Sequence, residues 1–374
     1  MAKIGRKHLL KVTLFLLVFL LALPAWGETE RVDGYFTLID GEGRIIARTA
    51  HQVKKGDQYL TSDNILYRVE EVKEDTAHLR FVKRVNLEAA ASLSFFSRIK
   101  KVITTLFWGE EYVQGKNRPI AIYHTHSDES YVPTDGRSSI PTNGGIFKVG
   151  DSLAQSLREK GVTILHDKTP HDPHDSMAYD RSRRTAVNLL KQNPIALIDL
   201  HRDAVPPEEY ADQVQNTAVT KAQLVVGRQN PNRKSNEAFA YQVKATVDKK
   251  YPGLVKGIFY GDGKYNQDLA PRLLLVEMGA HTNSREEAER GAAIFASAAQ
   301  EVLSLSKVSG RSVGQGAFKS ALWLIGLALV GGAIYLALNG GWSKIRNEMG
   351  RLTGDLNSGE HSDSDHDQQP PGEG

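Results

Sequence analysis

The sequence predicts an α/β fold: a mostly parallel sheet flanked by helices, preceded by a small β-rich module and followed by a transmembrane helix. Three observations predict it. Between 118 and 306, short apolar runs alternate with amphipathic helical patterns, as in a parallel sheet covered on both faces. From 28 to 85, strand-like runs recur at short spacing between Gly- and Asp-containing turns. Two uncharged apolar runs, 12–23 and 321–338, lie outside this body.

The first run follows Lys3, Arg6, Lys7 and Lys11 and ends in Pro24-Ala25-Trp26-Gly27. A basic start, a short apolar core and a small-x-small end describe a secretory signal peptide over 1–27. An uncleaved N-terminal anchor is the alternative, because Leu9 and Leu10 lengthen the run. In the β-rich module, Tyr35 to Ile39 and Arg44 to Ala47 read as strands about an Asp-Gly-Glu-Gly turn, and Leu60 to Val69 continues the pattern. Residues 86–117 are richer in helix formers and read as a helical linker.

Within 118–306 the pattern predicts strands at 120–123, 162–165, 195–200, 224–226 and 273–276. It predicts helices at 146–160, 178–191, 235–250 and 285–305, with Gly161 closing the first and Ser235 and Ser284 as N-caps of the last two. A linker follows at 307–320. The run 321–338, with Trp323 and Tyr335 near its ends, is long and apolar enough to be read as a membrane span. The tail 339–374 becomes acidic beyond Arg351, carries no Lys or Arg there, and reads as disordered. Export of the body by the signal segment would leave that tail cytoplasmic and hold the main domain at the cell membrane, on its outer, wall-facing side.

Composition restricts the chemistry. The 374 residues include 47 basic and 44 acidic side chains, so no global basic field marks a nucleic-acid binder. The chain has no cysteine, which excludes disulfides, thiol nucleophiles and Cys-ligated metals. Any metal must be held by carboxylates and by some of the 12 histidines.

Three expected strands run straight into ionisable residues: His124-Thr125-His126-Ser127-Asp128-Glu129, Asp199-Leu200-His201-Arg202-Asp203 and Val276-Glu277-Met278-Gly279. Sites of α/β sheets lie at such strand ends. A catalytic zinc takes three protein ligands and keeps one position open. His126, Glu129 and His201 are the candidate ligands, and Glu277 is the candidate catalytic carboxylate that moves a proton from water to a leaving group. Asp203 or Asp128 would orient a ligating imidazole. His124 is either a ligand in place of His126 or a supporting group. His166, His171 and His174 either line the cleft or belong to a solvated loop. His8, His51, His78, His361 and His366 fall outside this domain and carry no functional signal.

These residues resemble a family. The segments Ile122 to Tyr131, Tyr179-Asp180-Arg181-Ser182, Ile198 to Ala204 and Leu275 to Gly279 are similar to the stage II sporulation protein P family, over roughly 118–306. That family is a branch of the zinc-dependent N-acetylmuramoyl-L-alanine amidases. The resemblance implies a membrane-attached cell-wall hydrolase of sporulation engulfment. Its substrate would be peptidoglycan, cleaved between the muramic lactyl group and L-alanine, with a second, endopeptidase activity on cross-links. It implies Zn2+ as cofactor and stage II sporulation proteins D and M as partners. In the wider clan the ligand Glu opens the first helix. Here Gly144 to Gly150 offers no Glu, and Glu129 of His-x-x-Glu takes that role, as in zinc carboxypeptidases. A carboxypeptidase-like enzyme using Arg181, Arg183, Arg184 or Arg202 as a carboxylate clamp, and a non-catalytic peptidoglycan-binding scaffold, are the competing readings.

Overall fold

A computed structural model describes Arg31 and residues 34–87 and 118–303. The expected segments 1–27, 307–320, 321–338 and 339–374, and nearly all of the expected linker 86–117, lie outside the described residues.

Thirteen strands and five helices are described. The strands are β1 (Phe36–Ile39), β2 (Ile45–Thr49), β3 (Gln58–Thr61), β4 (Ile65–Lys73), β5 (Thr76–Arg84), β6 (Ile120–Tyr123), β7 (Ile164–His166), β8 (Ala196–Asp203), β9 (Ala211–Val214), β10 (Thr217–Thr220), β11 (Ala222–Gly227), β12 (Val255–Gly261) and β13 (Leu273–Ala280). The helices are α1 (Val132–Asp135), α2 (Ile146–Glu159), α3 (Ala178–Leu190), α4 (Arg233–Lys250) and α5 (Arg285–Leu303).

Eleven strands form one sheet in the order β2-β1-β5-β4-β3-β12-β11-β13-β8-β6-β7, and β9 and β10 form a separate hairpin. This corrects the expected fold in two respects. The sheet is mixed rather than mostly parallel: β1–β2, β3–β4, β4–β5, β3–β12 and β11–β13 run antiparallel. The N-terminal strands are also part of the same sheet, because Leu60 of β3 pairs with Ile258 of β12. The reason is β12, which the apolar pattern did not reveal. Lys256 and Gly257 interrupt its run, yet its seven residues are almost wholly buried. A further correction concerns the membrane. No helix among the described residues is long and apolar enough to cross one.

Strand alternation divides the buried side chains between two faces. On one face Ile122, Ile198, Leu200, Leu224, Val226, Leu274 and Val276 pack with α2, α4 and α5. The stripe Ile146, Val149, Leu153, Leu157 on α2 has the i, i+3, i+4 spacing of a helix that buries one side. It ends at Gly161, whose φ of +76° suits glycine after a helix. Small residues on α5, Ala288, Gly291, Ala292, Ala296 and Ala299, let it approach closely. A Cβ on Gly291 would stand 2.3 Å from the Thr220 carbonyl oxygen. On the other face Tyr59, Val225, Phe259 and Leu275 share a core with Phe36, Leu38, Tyr67, Val69 and Leu79 of the N-terminal strands and with Tyr179 of α3. Leu273 and Tyr123 on that face pack against Ala186 and Leu189 of α3. The N-terminal strands thus cover the face on which Glu277 and His201 lie.

Candidate metal centre

β6 is wholly buried and ends at Tyr123. The chain then turns sharply, with the Glu129 amide donating to the His126 carbonyl at 3.4 Å. This turn is braced from behind. The Gly144 amide donates to the Ser127 carbonyl at 3.0 Å, and Ile146, the first residue of α2, donates to the Glu129 carbonyl at 3.0 Å. Gly144 is required at that approach: a Cβ would stand 2.5 Å from the carbonyl oxygens of Glu129 and Ser127. The turn aims His126 and Glu129 in one direction.

β8 supplies the rest. Asp199, His201 and Asp203 alternate along one strand and so share a face. Glu277 on β13 is the register partner of His201 on the adjacent parallel strand. One strand spacing, about 4.8 Å, separates their backbones.

The structure brings His126, Glu129 and His201 together: one ligand atom from each lies within 4.8 Å of the others, and all three residues are buried. Glu129 Oε1 is 3.4 Å from Nδ1 of His126 and 3.4 Å from Nδ1 of His201. Bonds of about 2.1 Å to a tetrahedral ion such as zinc set neighbouring donors about 3.4 Å apart. The donor set and its spacing therefore fit a small tetrahedral cation.

The electrostatics favour positive charge here. Burial opposes ionisation of Glu129, but His201, Arg202 and the hydrogen bonds from His126 and His201 hold its carboxyl below the usual range. The Arg202 amide donates to Glu129 Oε2 at 2.9 Å. Burial likewise opposes a charge on His201, yet the carboxylates of Asp199 and Glu129 on either side push its pKa well above normal. Asp199 Oδ1 lies 3.0 Å from His201 Nε2. It is held there by the Thr125 amide at 2.8 Å and the Thr125 hydroxyl at 2.6 Å. A carboxylate on the far nitrogen of an imidazole fixes the tautomer that presents the near one to a metal.

The remaining predicted residues are placed as follows. His124 does not enter the cluster. Its Nδ1 meets the Leu200 carbonyl at 2.9 Å and its Nε2 meets His166 Nε2 at 2.8 Å. Asp128 pairs with His174 Nδ1 at 3.1 Å and with the Ser139 hydroxyl. His174 stacks on His126 with ring centres 3.9 Å apart, so Asp128 steadies a stacking partner of His126 rather than a ligand directly. Asp203 accepts from the Ala50 amide at 2.9 Å and the Tyr210 hydroxyl at 3.0 Å and orients no ligating imidazole. Arg202 also donates to the Ser138 carbonyl at 3.0 Å. Arg181 donates to the carbonyls of His171 and Pro173 and pairs with Asp175, which ties down the loop before α3. His171 is buried and joins the His124 carbonyl to the Thr185 hydroxyl.

Two residues at the site were not singled out from the sequence. Asp199 had a signal: it stands two before His201 on a strand, hence on the same face. His51 had none. It reaches the site through contacts distant in sequence, among them the pairing of β3 with β12, and its Nε2 lies 2.9 Å from Glu277 Oε1.

A family model described as stage II sporulation protein P matches residues 45–300. The chain is 32% identical over 197 residues to the stage II sporulation protein P of Bacillus subtilis (strain 168), covering 48% of this chain and 49% of that protein. The chain thus spans about half the length of the curated relative it matches. Among solved structures it is similar to the N-acetylmuramyl-L-alanine amidase Ami1 from Mycobacterium abscessus in its apo form, at 16% identity and a TM-score of 0.33 over 51% of this chain and 98% of that one. It is also similar to the N-acetylmuramoyl-L-alanine amidase from Clostridium difficile 630, at 15% identity and a TM-score of 0.32 over 53% of this chain and 100% of that one. Scores this low leave the functional reading to the chain's own residues.

Proposed function

The chain belongs to the stage II sporulation protein P family, and from that premise we propose that it is a zinc-dependent peptidoglycan hydrolase of sporulation. Its reaction is hydrolysis of the amide between N-acetylmuramic acid and L-alanine, with a second activity on peptide cross-links. It works on the wall-facing side of the cell membrane during engulfment, alongside stage II sporulation proteins D and M. The observation that carries this reading is the buried cluster of His126, Glu129 and His201, with Glu277 beside it on the neighbouring strand.

His126 and His201 through Nδ1, and Glu129 through Oε1, would hold the ion. Zinc supplies Lewis acidity there: it polarises a carbonyl and acidifies water. The protein's residues do the rest. Asp199 keeps a proton on His201 Nε2 and so keeps Nδ1 a donor of its lone pair. The Arg202 amide holds Glu129 Oε2, which leaves Oε1 turned toward the two imidazoles. His174, stacked on His126, restricts that ring. Glu277 accepts a proton from the attacking water and delivers it to the departing amine nitrogen. The amide C–N bond breaks as the new C–O bond forms, and the products are a free lactyl carboxylate and a stem peptide with a new N-terminal alanine.

Of the four clamps the carboxypeptidase reading offered, Arg181, Arg183 and Arg202 are engaged with loop carbonyls, Asp268 and Glu129 respectively, and Arg184 is exposed on α3. Mass spectrometry of muropeptides released from purified sacculi tests the proposal. Intact stem peptides beginning in alanine are expected, lost on chelation and restored by zinc. Glu277→Gln should bind zinc and lower the rate by about 10²–10⁴-fold. Normal release by that variant removes Glu277 from the chemistry, and free amino acids as product reject the amidase reading.

A further inference from the structure

His51 lies in the turn between β2 and β3, far from the other site residues in sequence. Three contacts place it. The preceding amide, that of Ala50, donates to Asp203 Oδ1 at 2.9 Å, which ties the turn to the end of β8. The imidazole stacks on Phe259 of β12, with ring centres 5.5 Å apart and planes 16° apart. Tyr265 meets it edge-on at 6.0 Å. The ring held in this way puts Nε2 2.9 Å from Glu277 Oε1, and the two side chains are 2% and 1% exposed.

A carboxylate can only accept hydrogen bonds, so His51 Nε2 carries the hydrogen. We propose that His51 is the positioning residue for Glu277, the proton carrier of the hydrolysis proposed above, on which this inference rests. The bond does two things. It selects one orientation of the Glu277 carboxylate, because Oε1 must face the ring. It also favours the ionised carboxyl, the form able to take a proton from water. With Oε1 committed to His51, proton transfer runs through Oε2. His51 keeps its own proton throughout and is not a catalytic residue. The N-terminal strands are then part of the catalytic apparatus, because they carry the group that sets the state of the base.

Three variants of the full chain test this. His51→Phe keeps a ring on Phe259 and removes the donor. His51→Gln keeps an N–H donor. His51→Ala removes both. Zinc content, melting temperature, and kcat and KM against pH on a soluble muropeptide are measured for each. All three should hold one zinc per chain. His51→Phe and His51→Ala should lose about 10–100-fold in kcat with KM unchanged. Their acid limb of kcat/KM should move to higher pH, because a carboxylate without its donor is protonated more easily. His51→Gln should recover most of the rate and return the limb. Full kcat in a folded, zinc-loaded His51→Phe protein overturns the proposal. So does a loss in all three variants that follows melting temperature while the acid limb stays fixed, since that is a packing effect. Glu277→Gln separates the two readings. If it is active, the proton-carrier reading fails. If it is inactive while His51→Phe is fully active, only the positioning role fails.

Discussion

Replacing Asp199 by Asn tests the metal centre with the least disturbance. Asp199 is completely buried. Its Oδ1 receives the Thr125 amide at 2.8 Å and faces His201 Nε2 at 3.0 Å, while Oδ2 receives the Thr125 hydroxyl at 2.6 Å. In Asp199→Asn the amide oxygen can keep both Oδ1 contacts. The NH2 group would point at the Thr125 hydroxyl, which lies 2.8 Å from Ser182 Oγ and can donate there instead. Shape and hydrogen bonds survive and one negative charge is lost. Loss of such an outer carboxylate weakens metal binding by about 10–100-fold, or about 1.4–2.7 kcal/mol. The conserved geometry puts Asp199→Asn near the tenfold end. Asp199→Ala, which also strands the Thr125 amide, belongs near the hundredfold end. Zinc affinity measured by competition with a chromophoric chelator, with circular dichroism as the check on folding, gives the answer. A folded Asp199→Asn protein that binds zinc as tightly as the parent refutes the reasoning, because His201 would then need no carboxylate behind it.

Two further outcomes follow from local geometry. Gly144→Ala drives a methyl group against the carbonyl oxygens of Ser127 and Glu129. The turn that aims His126 and Glu129 must shift, so zinc affinity should fall about tenfold, and stability should fall by about 1–3 kcal/mol from overpacking; thermal melting and chelator competition read both. His166 is pushed down to about 4, since burial outweighs the Asp151 carboxylate beside it. Its folded pKa lies below the unfolded value of about 6.5, so its neutral form stabilises the fold above that pH. The contribution is lost as pH falls from about 6.5 to about 4 and amounts to about 3 kcal/mol at most. His166→Gln should flatten the urea-midpoint curve across this window, and an unchanged slope would assign the acid lability to other groups.

The elements with strong periodicity were legible in the sequence. α2, α3, α4 and α5 and the strands β6, β8 and β13 lie where the apolar pattern puts them, to within a few residues. So was the gathering of His126, Glu129 and His201, because an apolar run that ends in ionisable residues places them at a strand terminus. What was illegible depended on pairing at long range. β12 alternates poorly because both of its faces are covered, so period-2 reading passes over it. Without β12 the N-terminal strands look like a module on their own. His51 then looks remote from the site, although its ring lies against Glu277. The strand's two-residue repeat puts both Asp199 and Asp203 on the face of His201, and only the long-range contacts of Asp203 with Ala50 and Tyr210 remove it from the ligands. The antiparallel placement of β11 against β13 was equally hidden, because strand direction is set by connections that composition does not encode.

The bond between β3 and β12 also orders events in time. Thr61 pairs with Gly257, and closing so long a stretch of chain is among the slowest steps a sheet can require. A chain made from its N-terminus holds β1 to β5 long before β12 exists, and Glu277 comes later still. His51 therefore waits for its partner until nearly all of the described residues have been synthesised. Until β13 is made, neither the Glu277 partner of His51 nor the β13 neighbour of β8 exists. On the proposed function, the contact of His51 with Glu277 is among the last features of the site to form.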